Sequence, residues 1–419
     1  MAGNFFETLK SRGFVYQMTN EDRIKAMIDS DKPLTFYLGI DPTADSLHIG
    51  HFFALRMFKM LQDRGHKGIL LIGGATAMVG DPSGKSDLRQ MLTQDDINHN
   101  LKEIKDLAGR FIKTTGDNAA IIVNNADWIN KFSYIEFMRY VGIHFNVNKM
   151  LAMEAYASRL ESGGLTFLEM GYMLMQAYDF VHLNREYGCI LQIGGSDQWG
   201  NIVAGTELSR KMNFHVEGKA SEDRPEIMGM TCPLLMTKDG RKMGKTEAGT
   251  LWVAREKTTP FDFYQYFYNV PDECTDILLK VFTSITVDKI DKMCKEDIVA
   301  AKKTMAFELT KLVHGEDEAN KVLDAASGLF GTGESLSEAP TKEIKESVLE
   351  AGISVVDLAV SVGFLPSKAE ARRMIEQNGL AVNGIKVESA DSMLGKKDLI
   401  DGALLLQKGK KTFLRLKAV

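Results

Sequence analysis

The stretch from Phe36 to Ile72 constrains the fold of this chain more than any other. An apolar run to Ile40 predicts a buried strand that ends at the Asp41-Pro42 turn, and the run 68–72 predicts a second strand. The residues between them have the spacing of an amphipathic helix that stops at Gly65. Strand, helix and strand in this order form a βαβ unit, which predicts a parallel sheet and places the loop after the first strand at a helix N-terminus.

That loop is suited to bind an anion. Asp45 or Ser46 can cap the helix, and free backbone N–H groups together with the positive end of the helix dipole face the loop. His48 and His51 follow one turn apart, and both imidazoles can donate hydrogen bonds to phosphate oxygens. Gly50 between them leaves room for a ligand to lie against the backbone. A phosphate-binding loop is therefore one hypothesis for this stretch.

A metal site and a pair of surface histidines are the alternatives for His48 and His51. A metal ion needs three or more ligands, and the four cysteines contain no Cys-x-x-Cys pair that could complete such a site. Scattered cysteines fit a reducing cytosol. The N-terminus lacks the apolar core of a signal peptide, and no apolar run approaches the roughly 18 residues of a membrane span. We therefore expect a cytoplasmic protein with no tightly bound metal and no membrane segment.

Glycines also follow the second predicted strand. The series Gly80-x3-Gly84-Lys85-Ser86 is close to a P-loop, but that motif needs four residues between its glycines, so we reject it. The glycines still indicate close approach of the backbone to a ligand, with Lys85 and Arg89 able to reach phosphate charge. An ordinary glycine-rich turn is the alternative.

Strands and long helical segments continue to alternate beyond this point. Further strands are predicted at 120–124 and 189–193, and further helices at 94–108, 128–138 and 150–160. Such alternation is typical of an α/β fold with a parallel sheet covered by helices.

The helix predicted at 167–181 carries three polar residues on one face. Tyr172, Gln176 and Asp179 lie at i, i+4 and i+7, and most of the remaining circumference is apolar, which indicates a helix buried nearly all round. A solvated polar face is the alternative. If the face is buried, its phenol, amide and carboxylate need partners, and they can recognise a small polar ligand.

Two later segments have polar residues in glycine-rich surroundings. The strand 189–193 ends in Gln192 and is followed by Asp197 and Gln198, at the edge where open α/β sheets place their ligands. Asp197 suits a ribose hydroxyl and Gln198 a carbonyl or amide. The segment 238–246 holds four cations and two glycines, which alone is most often a solvated surface turn.

Together these motifs carry a family resemblance. His48-Ile49-Gly50-His51 matches the HIGH signature of class I aminoacyl-tRNA synthetases, and Lys242-Met243-Gly244-Lys245-Thr246 is similar to their KMSKS signature. With the segments 37–47, 80–84, 176–179 and 192–200, the chain resembles the bacterial tyrosyl-tRNA synthetase family over nearly its whole length.

The resemblance implies a role for each matching residue. Tyr37 and Asp179 would bind the substrate's phenolic hydroxyl, and Gln198 its carboxylate end. The α-ammonium group would be held by Asp81, Tyr172 and Gln176, with Asp41 and Thr76 nearby. The residues that border the adenosine would be Gly39, His51, Gln192 and Asp197. The residues that grip the phosphates would be Thr43, His48, Lys85, Arg89, Lys242, Lys245 and Thr246.

The implied reaction explains why these groups are donors rather than a catalytic triad. The tyrosine carboxylate is already a nucleophile for the α-phosphorus of ATP, so the site must supply positioning and stabilise charge on the phosphates. Mg²⁺ would arrive with the pyrophosphate part of ATP, and the KMSKS-like loop could close over the phosphates. Two residues depart from some relatives. Leu38 stands where some have a cysteine that touches the ribose, and Gly244 stands in place of serine.

The remaining chain has the composition of two further domains. Thr259-Pro260 reads as the start of a helix, and the aromatic cluster 261–268 is either core or a surface that stacks RNA bases. From Phe364 onward there are eleven Lys or Arg against six Asp or Glu, on a chain whose net charge is −5. A helix pair followed by a hairpin at Asn383-Gly384 resembles a ribosomal-protein-type RNA-binding module. Its candidate RNA-binding residues are Lys368, Arg372 and Arg373.

The expected architecture therefore has four parts. A Rossmann-like catalytic domain at 1–250 contains a helical insertion at about 125–190 and the KMSKS-like loop at 242–246. A helical anticodon-side domain follows at 251–328, a linker at 329–346, and a small α+β RNA-binding domain at 347–419. The family forms homodimers, and we expect the helical insertion to provide the interface.

Two other functions compete with charging tyrosine onto its tRNA. Tryptophan activation uses the same core, but Tyr37 with Asp179 favours a phenol. An RNA-binding protein that lost catalysis is the second alternative, and the intact His48, His51, Lys242 and Lys245 argue against it.

Overall fold

The computed structural model describes the chain in two compact units. The described residues are 4–82, 92–162, 164–217, 226–237, 240, 242–246, 249–330, 340–377, 379–383, 385–400, 402–409 and 412–419. The first unit comprises Met1–Lys257 and Asp276–Cys294, and the second comprises Thr258–Thr275 and Lys295–Val419. Within the described ranges, every helix is too short or too polar to cross a lipid bilayer.

A six-stranded sheet forms the centre of the first unit. Its strands are β1 (Gln17–Met18), β2 (Thr35–Ile40), β3 (Lys67–Ile72), β4 (Ile121–Asn124), β5 (Cys189–Gly195) and β6 (Met228–Cys232). The spatial order is β1-β6-β5-β2-β3-β4, and all neighbours are parallel except β1 and β6. The chain leaves β2 in the middle of the sheet toward β3 on one side, and β5 lies on the other side. This reversal of strand order opens a crevice at the carboxyl ends of β2 and β5, where doubly wound sheets bind ligands.

Helices connect and cover these strands. They are α1 (Phe5–Ser11), α2 (Glu21–Ile28), α3 (Ile49–Asp63), α4 (Thr76–Val79), α5 (Gln94–Ala108), α6 (Ala126–Ile129), α7 (Tyr134–Tyr140), α8 (Val147–Leu151), α9 (Glu154–Ser162), α10 (Phe167–Tyr187) and α11 (Trp199–Glu217). A short hairpin of β7 (Lys245–Thr246) and β8 (Gly249–Thr250) follows β6. The expectation of a parallel sheet covered by helices is confirmed.

The cap of α3 differs from the expectation. The sequence predicts Asp45 or Ser46 at this position, but the N-cap is His48, whose Nδ1 accepts a 3.2 Å hydrogen bond from the His51 N–H. Asp45 and Ser46 instead bind residues of a distant segment, as described below. A histidine is an uncommon cap, so cap preferences alone favour the wrong residues.

Two predicted helices are each divided in two. The range 128–138 contains the end of α6 and most of α7, because Ser133 and Glu136 form a reciprocal capping box that starts a new helix. The range 150–160 contains the end of α8 and most of α9. The helix α10, in contrast, runs six residues beyond its predicted end at 181 and stops at Gly188, which adopts a left-handed conformation.

The middle of α10 is buried, as its apolar composition predicts: nine of the twelve residues from Tyr172 to Leu183 are buried. Residues such as Met173, Ala177 and Phe180 are fully enclosed by the core that surrounds Tyr37. The two ends of the helix are exceptions, because the Phe167, Leu168 and Tyr187 side chains are exposed. The polar face of α10 therefore lies inside the protein and needs internal partners or a ligand.

The helices beyond the first unit's sheet are α12 (Pro260–Tyr268), α13 (Thr275–Phe282), α14 (Val287–Glu296), α15 (Ile298–His314) and α16 (Glu316–Phe330). The start of α12 at Thr259-Pro260 is confirmed, with Thr259 as the N-cap. Phe261, Phe263 and Phe267 are buried, which supports core packing rather than RNA stacking for the aromatic cluster.

The end of the chain combines short helices with a five-stranded sheet. The helices are α17 (Glu346–Ala351), α18 (Val355–Ser361) and α19 (Lys368–Glu376). The strands are β9 (Thr341–Ile344), β10 (Ile353–Ser354), β11 (Leu380–Val382), β12 (Ile385–Lys386), β13 (Met393–Leu394), β14 (Ala403–Lys408) and β15 (Thr412–Ala418). Five of them form a sheet in the order β12-β11-β14-β15-β9, and β10 pairs with β13. The hairpin of β11 and β12 agrees with the sequence signal at Asn383, whose φ is 50°.

The range 329–346, expected to be a linker, contains helical and strand residues on both sides of its undescribed part. The helix α16 continues to Phe330, and β9 adds to the C-terminal sheet by pairing in parallel with β15. Three of the four residues of β9 are exposed, so the segment lacks the apolar alternation that predicts a strand. The residues 331–339 lie outside the described part of the chain.

Candidate active site

A cavity of about 870 Å³ lies in the first unit, at the crevice beside β2 and β5. This volume is in the range of small-molecule binding sites. Fifteen residues selected from the sequence line it: Tyr37, Gly39, Asp41, Thr43, His48, His51, Thr76, Asp81, Tyr172, Gln176, Asp179, Gln192, Asp197, Gln198 and Lys242. The structure thus brings together the polar groups that follow β2, β3 and β5 with the polar face of α10.

One end of the cavity is built around the carboxylate of Asp179, which is 2% exposed. Its Oδ1 accepts a 2.7 Å hydrogen bond from the Trp128 indole, and its Oδ2 accepts a 3.0 Å hydrogen bond from Asn125 Nδ2. Burial raises the pKa of Asp179 to about 8, although these two hydrogen bonds act in the opposite direction. The carboxyl group is therefore held in a fixed orientation in a dry environment.

Tyr37 lines the same cavity as Asp179 and lies within reach of its charge. Burial raises the pKa of Tyr37 far above its ordinary value, and the negative charge of Asp179 contributes. The Tyr37 hydroxyl is buried and has no hydrogen-bond partner among the described residues. An unpaired buried hydroxyl is costly, about 1–3 kcal/mol, so a ligand that offers a polar atom here would gain affinity.

Asn125 and Trp128 belong to the candidate site, and sequence reasoning missed both. Asn125 is completely buried, and its Oδ1 accepts a 2.8 Å hydrogen bond from the Ala75 N–H while its Nδ2 donates to both Thr76 and Asp179. It follows directly after β4, at the carboxyl end of a parallel strand. Open α/β sheets bind ligands at the carboxyl ends of their strands, which is why Gln192 in β5 was selected. The same rule applied to β4 would have identified Asn125.

A second carboxylate, that of Asp41, lies at the carboxyl end of β2. Tyr172 donates a 2.8 Å hydrogen bond to its Oδ2, and Thr76 donates a 2.7 Å hydrogen bond to its Oδ1. Gly73 is required beside this group, because a Cβ at that position would lie 2.1 Å from Asp41 Oδ1 and 2.2 Å from Thr76 Oγ1. Burial and the charge of Asp41 raise the pKa of Tyr172 far above its ordinary value, so it stays a donor.

Three further polar side chains form a chain of hydrogen bonds along the cavity. Gln198 Nε2 donates to Asp81 Oδ2 at 2.7 Å, and Gln176 Nε2 donates to Gln198 Oε1 at 3.2 Å. The Oε1 of Gln176 is buried and has no partner within the described part of the chain. It is a hydrogen-bond acceptor that faces a cavity already lined by the carboxylates Asp41 and Asp81. Such a group of acceptors suits a cation with several N–H donors, such as an ammonium.

The signature histidines lie at the N-terminus of α3. The two rings stack with centroids 3.6 Å apart and an angle of 17° between their planes. Because His48 Nδ1 accepts the capping hydrogen bond, its neutral ring carries the proton on Nε2, which can donate to a ligand. A Cβ on Gly50 would lie 3.0 Å from the His48 ring, so glycine at this position also makes space for the histidine.

Groups suited to a nucleotide lie near these histidines. The Oε1 of Gln192 is buried and without a partner among the described residues, and Lys242 Nζ lies 3.4 Å from Asp197 Oδ2. A lysine and a carboxylate side by side can bind a phosphate and a ribose hydroxyl respectively. The two signatures, which are nearly two hundred residues apart in the sequence, therefore border one cavity.

Several predicted site residues are not tested by the structure. Lys85 and Arg89 lie outside the described residues, and for Lys245 and Thr246 only the backbone, in β7, is described. Lys368, Arg372 and Arg373 are exposed on α19 in the second unit. Lys368 pairs with Asp357 at 2.6 Å, and Arg373 with Glu370 at 2.6 Å.

The class of protein follows from the fold, the two signatures and a family model. The model described as tRNA synthetases class I (W and Y) matches residues 29–331, and the model described as the tyrosine--tRNA ligase SYY-like C-terminal domain matches residues 334–416. A C-terminally truncated mitochondrial tyrosyl-tRNA synthetase from Aspergillus nidulans has the same fold, with a TM-score of 0.67 and 29% identity over 78% of this chain and 94% of that one. The chain is thus built as a class I aminoacyl-tRNA synthetase.

Full-length relatives specify the amino acid. The chain is 47% identical to the tyrosine--tRNA ligase of Acetivibrio thermocellus over 417 residues, and 47% identical to that of Clostridium kluyveri over 416 residues, in each case over 99% of both chains. The chain belongs to the tyrosine--tRNA ligase family. It is an enzyme that attaches tyrosine to tRNA with ATP as co-substrate, and tryptophan activation, the alternative left by the shared core, is set aside.

Proposed function

We propose that Tyr37 and Asp179 select tyrosine by binding its phenolic hydroxyl. The observation that carries this assignment is the buried Tyr37 hydroxyl, which has no partner among the described residues, at the end of the cavity where Trp128 and Asn125 hold the Asp179 carboxylate in place. Phenylalanine would leave these buried groups unpaired, and sites built to bind a hydroxyl reject such analogues strongly; tyrosyl-tRNA synthetases are the standard example of this effect.

The α-ammonium group of tyrosine would bind near the middle of the cavity. Gln176 Oε1 is an acceptor without a partner among the described residues, and the carboxylates of Asp81 and Asp41 supply negative charge. Tyr172 and Thr76 would orient Asp41 through their hydrogen bonds. Gln198 forms hydrogen bonds with Asp81 and Gln176, and it would lie next to the substrate carboxylate.

The substrate carboxylate itself is the nucleophile, so the reaction needs no general base. It attacks the α-phosphorus of ATP, a P–O bond to the α-phosphate forms, and pyrophosphate leaves with its electron pair. We assign the adenosine to Gly39, His51, Gln192 and Asp197. We assign the phosphates to Thr43, His48, Lys85, Arg89, Lys242, Lys245 and Thr246. These donors stabilise the negative charge that grows on the phosphates in the transition state.

Magnesium would enter as part of the ATP substrate. The groups that border the proposed phosphate site are imidazoles, lysines and hydroxyls, and among the described residues no three His, Cys, Asp or Glu side chains are grouped so that they could hold a metal ion. When bound with ATP, the ion would offset the negative charge of the leaving pyrophosphate.

We also propose that the enzyme is a homodimer formed through the helical insertion at about 125–190. Eight of the eighteen large apolar side chains that are exposed among the described residues fall between positions 134 and 168. They are Tyr134, Ile135, Tyr140, Ile143, Val147, Leu160, Phe167 and Leu168. Such a concentration of exposed apolar side chains in one segment of the chain suits an interface. Equilibrium sedimentation of the wild type and of Ile143→Glu tests this, and a monomeric wild type at micromolar concentration would rule the proposal out.

We infer roles in tRNA binding for the two regions that follow the catalytic domain. We infer that the end of the chain from about residue 347 binds tRNA through the basic face of α19, and that the helices of 251–328 contact its anticodon side. All of this would take place in the cytoplasm, where tRNA and ATP occur and where the protein's free cysteines are compatible with a reducing environment.

The pocket assignment is tested by two variants. Asp179→Ala is expected to abolish tyrosine activation while circular dichroism shows an unchanged fold. Tyr37→Phe is expected to lower kcat/KM for tyrosine about tenfold and to leave that for phenylalanine unchanged, because only tyrosine loses a hydrogen bond. Normal turnover of tyrosine by Asp179→Ala would show that the hydroxyl binds elsewhere.

A further inference from the structure

The two signatures are linked by a segment that neither motif includes. Residues 251–257, which we term the connecting segment, follow directly after the β7–β8 hairpin. The Leu251 N–H donates a 2.7 Å hydrogen bond to the Gly244 carbonyl of the second signature. The Val253 N–H donates a 2.8 Å hydrogen bond to the Leu47 carbonyl, and Trp252 forms an antiparallel bridge with His48. The connecting segment therefore contacts the second signature at one end and the first signature along its middle.

Buried groups hold the connecting segment in place. The side chains of Leu251 and Val253 are buried, and the Ser46 hydroxyl, which is 1% exposed, accepts a 3.1 Å hydrogen bond from the Ala254 N–H. Ser46 thus supports a distant segment instead of capping α3. The connecting segment has the backbone pairing of a short added strand beside residues 46–48.

The second signature also packs directly against the first. Gly244 has a φ of +83°, and a Cβ on it would lie 2.4 Å from Ile49 Cγ2. Both the left-handed backbone and the close approach exclude a larger residue at this position without movement of the loop. The glycine that replaces the family's serine therefore lets the backbone of the second signature lie against the first residue of α3.

An ion pair closes the far end of the connecting segment. Lys257 Nζ lies 2.7 Å from Asp45 Oδ1, and it also lies 5.6 Å from the centre of the Trp252 ring, as in a cation–π contact. The hydrogen bond from Lys257 lowers the pKa of Asp45, so this carboxylate is charged at neutral pH. Trp252 lines the cavity, whereas Lys257 and Asp45 are not among its lining residues.

We propose that Lys257 is a positioning residue for adenylate formation. Its ion pair with Asp45 and its contact with Trp252 hold the connecting segment beside His48, and this in turn places the Lys242–Thr246 segment over the phosphates of ATP. The inference rests on the proposed function of the second signature as a phosphate-binding element. Asp45 lies three residues before His48 of the first signature, and Lys257 ends the connecting segment, so the pair adds a link between the two phosphate-binding motifs outside the substrate cavity.

The position of the pair decides which step it affects. A partly exposed ion pair contributes little to global stability, about 0.2–1 kcal/mol, so its loss should not unfold the protein. Loss of correct placement in a phosphoryl-transfer site, in contrast, can reduce the rate by one to two orders of magnitude. The tyrosine end of the cavity, at Tyr37 and Asp179, has no part in the pair. Tyrosine binding should therefore be independent of Lys257.

The test uses the full-length chain and three variants of the pair. Lys257→Met keeps the aliphatic stem near Trp252 and removes the charge, Asp45→Asn removes the opposite charge, and the third variant combines both. We expect each to lower kcat for tyrosine-dependent pyrophosphate exchange about tenfold and to raise KM for ATP, while the Kd for tyrosine stays within about twofold. The double variant should be no slower than the slower single variant, because the two side chains act as one unit.

Two controls complete the experiment. Lys257→Arg should restore most of the rate, since the charge and the reach to Asp45 are retained. Lys59→Met and Asp63→Asn break an ion pair of 2.6 Å with similar exposure at the other end of α3, and we expect them to leave the exchange rate unchanged.

Each other outcome contradicts the inference. Wild-type exchange rates in Lys257→Met and Asp45→Asn would show that the pair does not position the loop. If the Kd for tyrosine rose in these variants by the same factor by which kcat fell, Lys257 would have a general structural role instead. Lys242→Ala separates the two proposals. If Lys242→Ala is slow and Lys257→Met is not, only the inference about Lys257 fails; if both are fast, the proposed role of the second signature fails as well.

Discussion

The indole N–H of Trp128, on α6, donates a 2.7 Å hydrogen bond to Asp179 Oδ1, 51 positions later in the chain. Asn125 donates to the other oxygen of the same carboxylate. Asp179 is therefore not merely present at the end of the cavity; its orientation is set by two donors that contact it only in the folded protein. The specificity of the enzyme for tyrosine should depend on these donors.

Replacement of Trp128 by phenylalanine tests this dependence. Trp128→Phe removes the N–H and keeps an aromatic ring beside His182, whose ring centroid is 4.3 Å from that of Trp128. We expect kcat/KM for tyrosine to fall about tenfold, because loss of one hydrogen bond to a buried carboxyl group costs about 1–3 kcal/mol. Activation of phenylalanine, which has no hydroxyl, serves as the internal control and should not change. An equal loss for both amino acids would indicate a general disturbance of the cavity.

The buried Asp179 should also make stability depend on pH. Its pKa is raised to about 8 in the folded protein by burial, whereas an Asp in an unfolded chain has a pKa of about 3.9. At a pH between these two pKa values, the folded state binds more protons than the unfolded state. The free energy of unfolding therefore falls as pH rises. The stabilisation is fully present below the unfolded pKa and is lost as pH rises through the folded pKa.

A comparison with Asp179→Asn isolates this contribution. We expect urea unfolding at pH values from 5 to 8 to give a free energy of unfolding that falls with pH more steeply for the wild type than for Asp179→Asn. The difference in slope should be at most about 1.4 kcal/mol per pH unit. Asparagine does not titrate, so its curve provides the reference. Parallel curves for the two proteins would show that Asp179 has an ordinary pKa in the folded state.

The basic face of α19 should contribute to tRNA binding and not to adenylate formation. Combined replacement of Lys368, Arg372 and Arg373 by alanine is expected to weaken tRNA binding. A plot of the logarithm of the binding constant against the logarithm of the salt concentration should also become less steep, with a slope smaller in magnitude by about 1–3. The rate of pyrophosphate exchange should stay at the wild-type value. A matched variant with Lys102, Lys105 and Arg110 replaced by alanine removes the same charge from the first unit. If both variants weaken tRNA binding equally, the role given to α19 is wrong.

Much of the site could be predicted because it lies at the ends of parallel strands. The strand β2 is predicted from an apolar run and a turn, and the polar residues that follow it must lie at one edge of the sheet. The spacing of Tyr172, Gln176 and Asp179 on α10 likewise follows from helix geometry alone. Fifteen of the residues selected from such patterns and from the family resemblance line one cavity.

The unpredicted parts depend on contacts between distant segments. Asn125 meets Asp179 across 54 positions of the sequence, and Ser46 meets Ala254 across 208 positions. Local preferences favour Ser46 as a helix cap, but its hydroxyl accepts a hydrogen bond from the connecting segment, and His48 caps α3 instead. Gly244 is similar, since the need for glycine arises from Ile49 packed against it.

Amino-acid-dependent exchange of pyrophosphate into ATP, with tyrosine, tryptophan and phenylalanine measured side by side, tests the account most directly. It isolates the activation step from tRNA binding, and it reports on the phenol end of the cavity and the phosphate site together. We predict rapid exchange with tyrosine and negligible exchange with the other two, because only tyrosine offers a hydroxyl to Tyr37 and Asp179. Exchange with phenylalanine or tryptophan at a rate comparable to that with tyrosine would contradict the assigned specificity, and no exchange with any amino acid in folded protein would contradict the assigned chemistry.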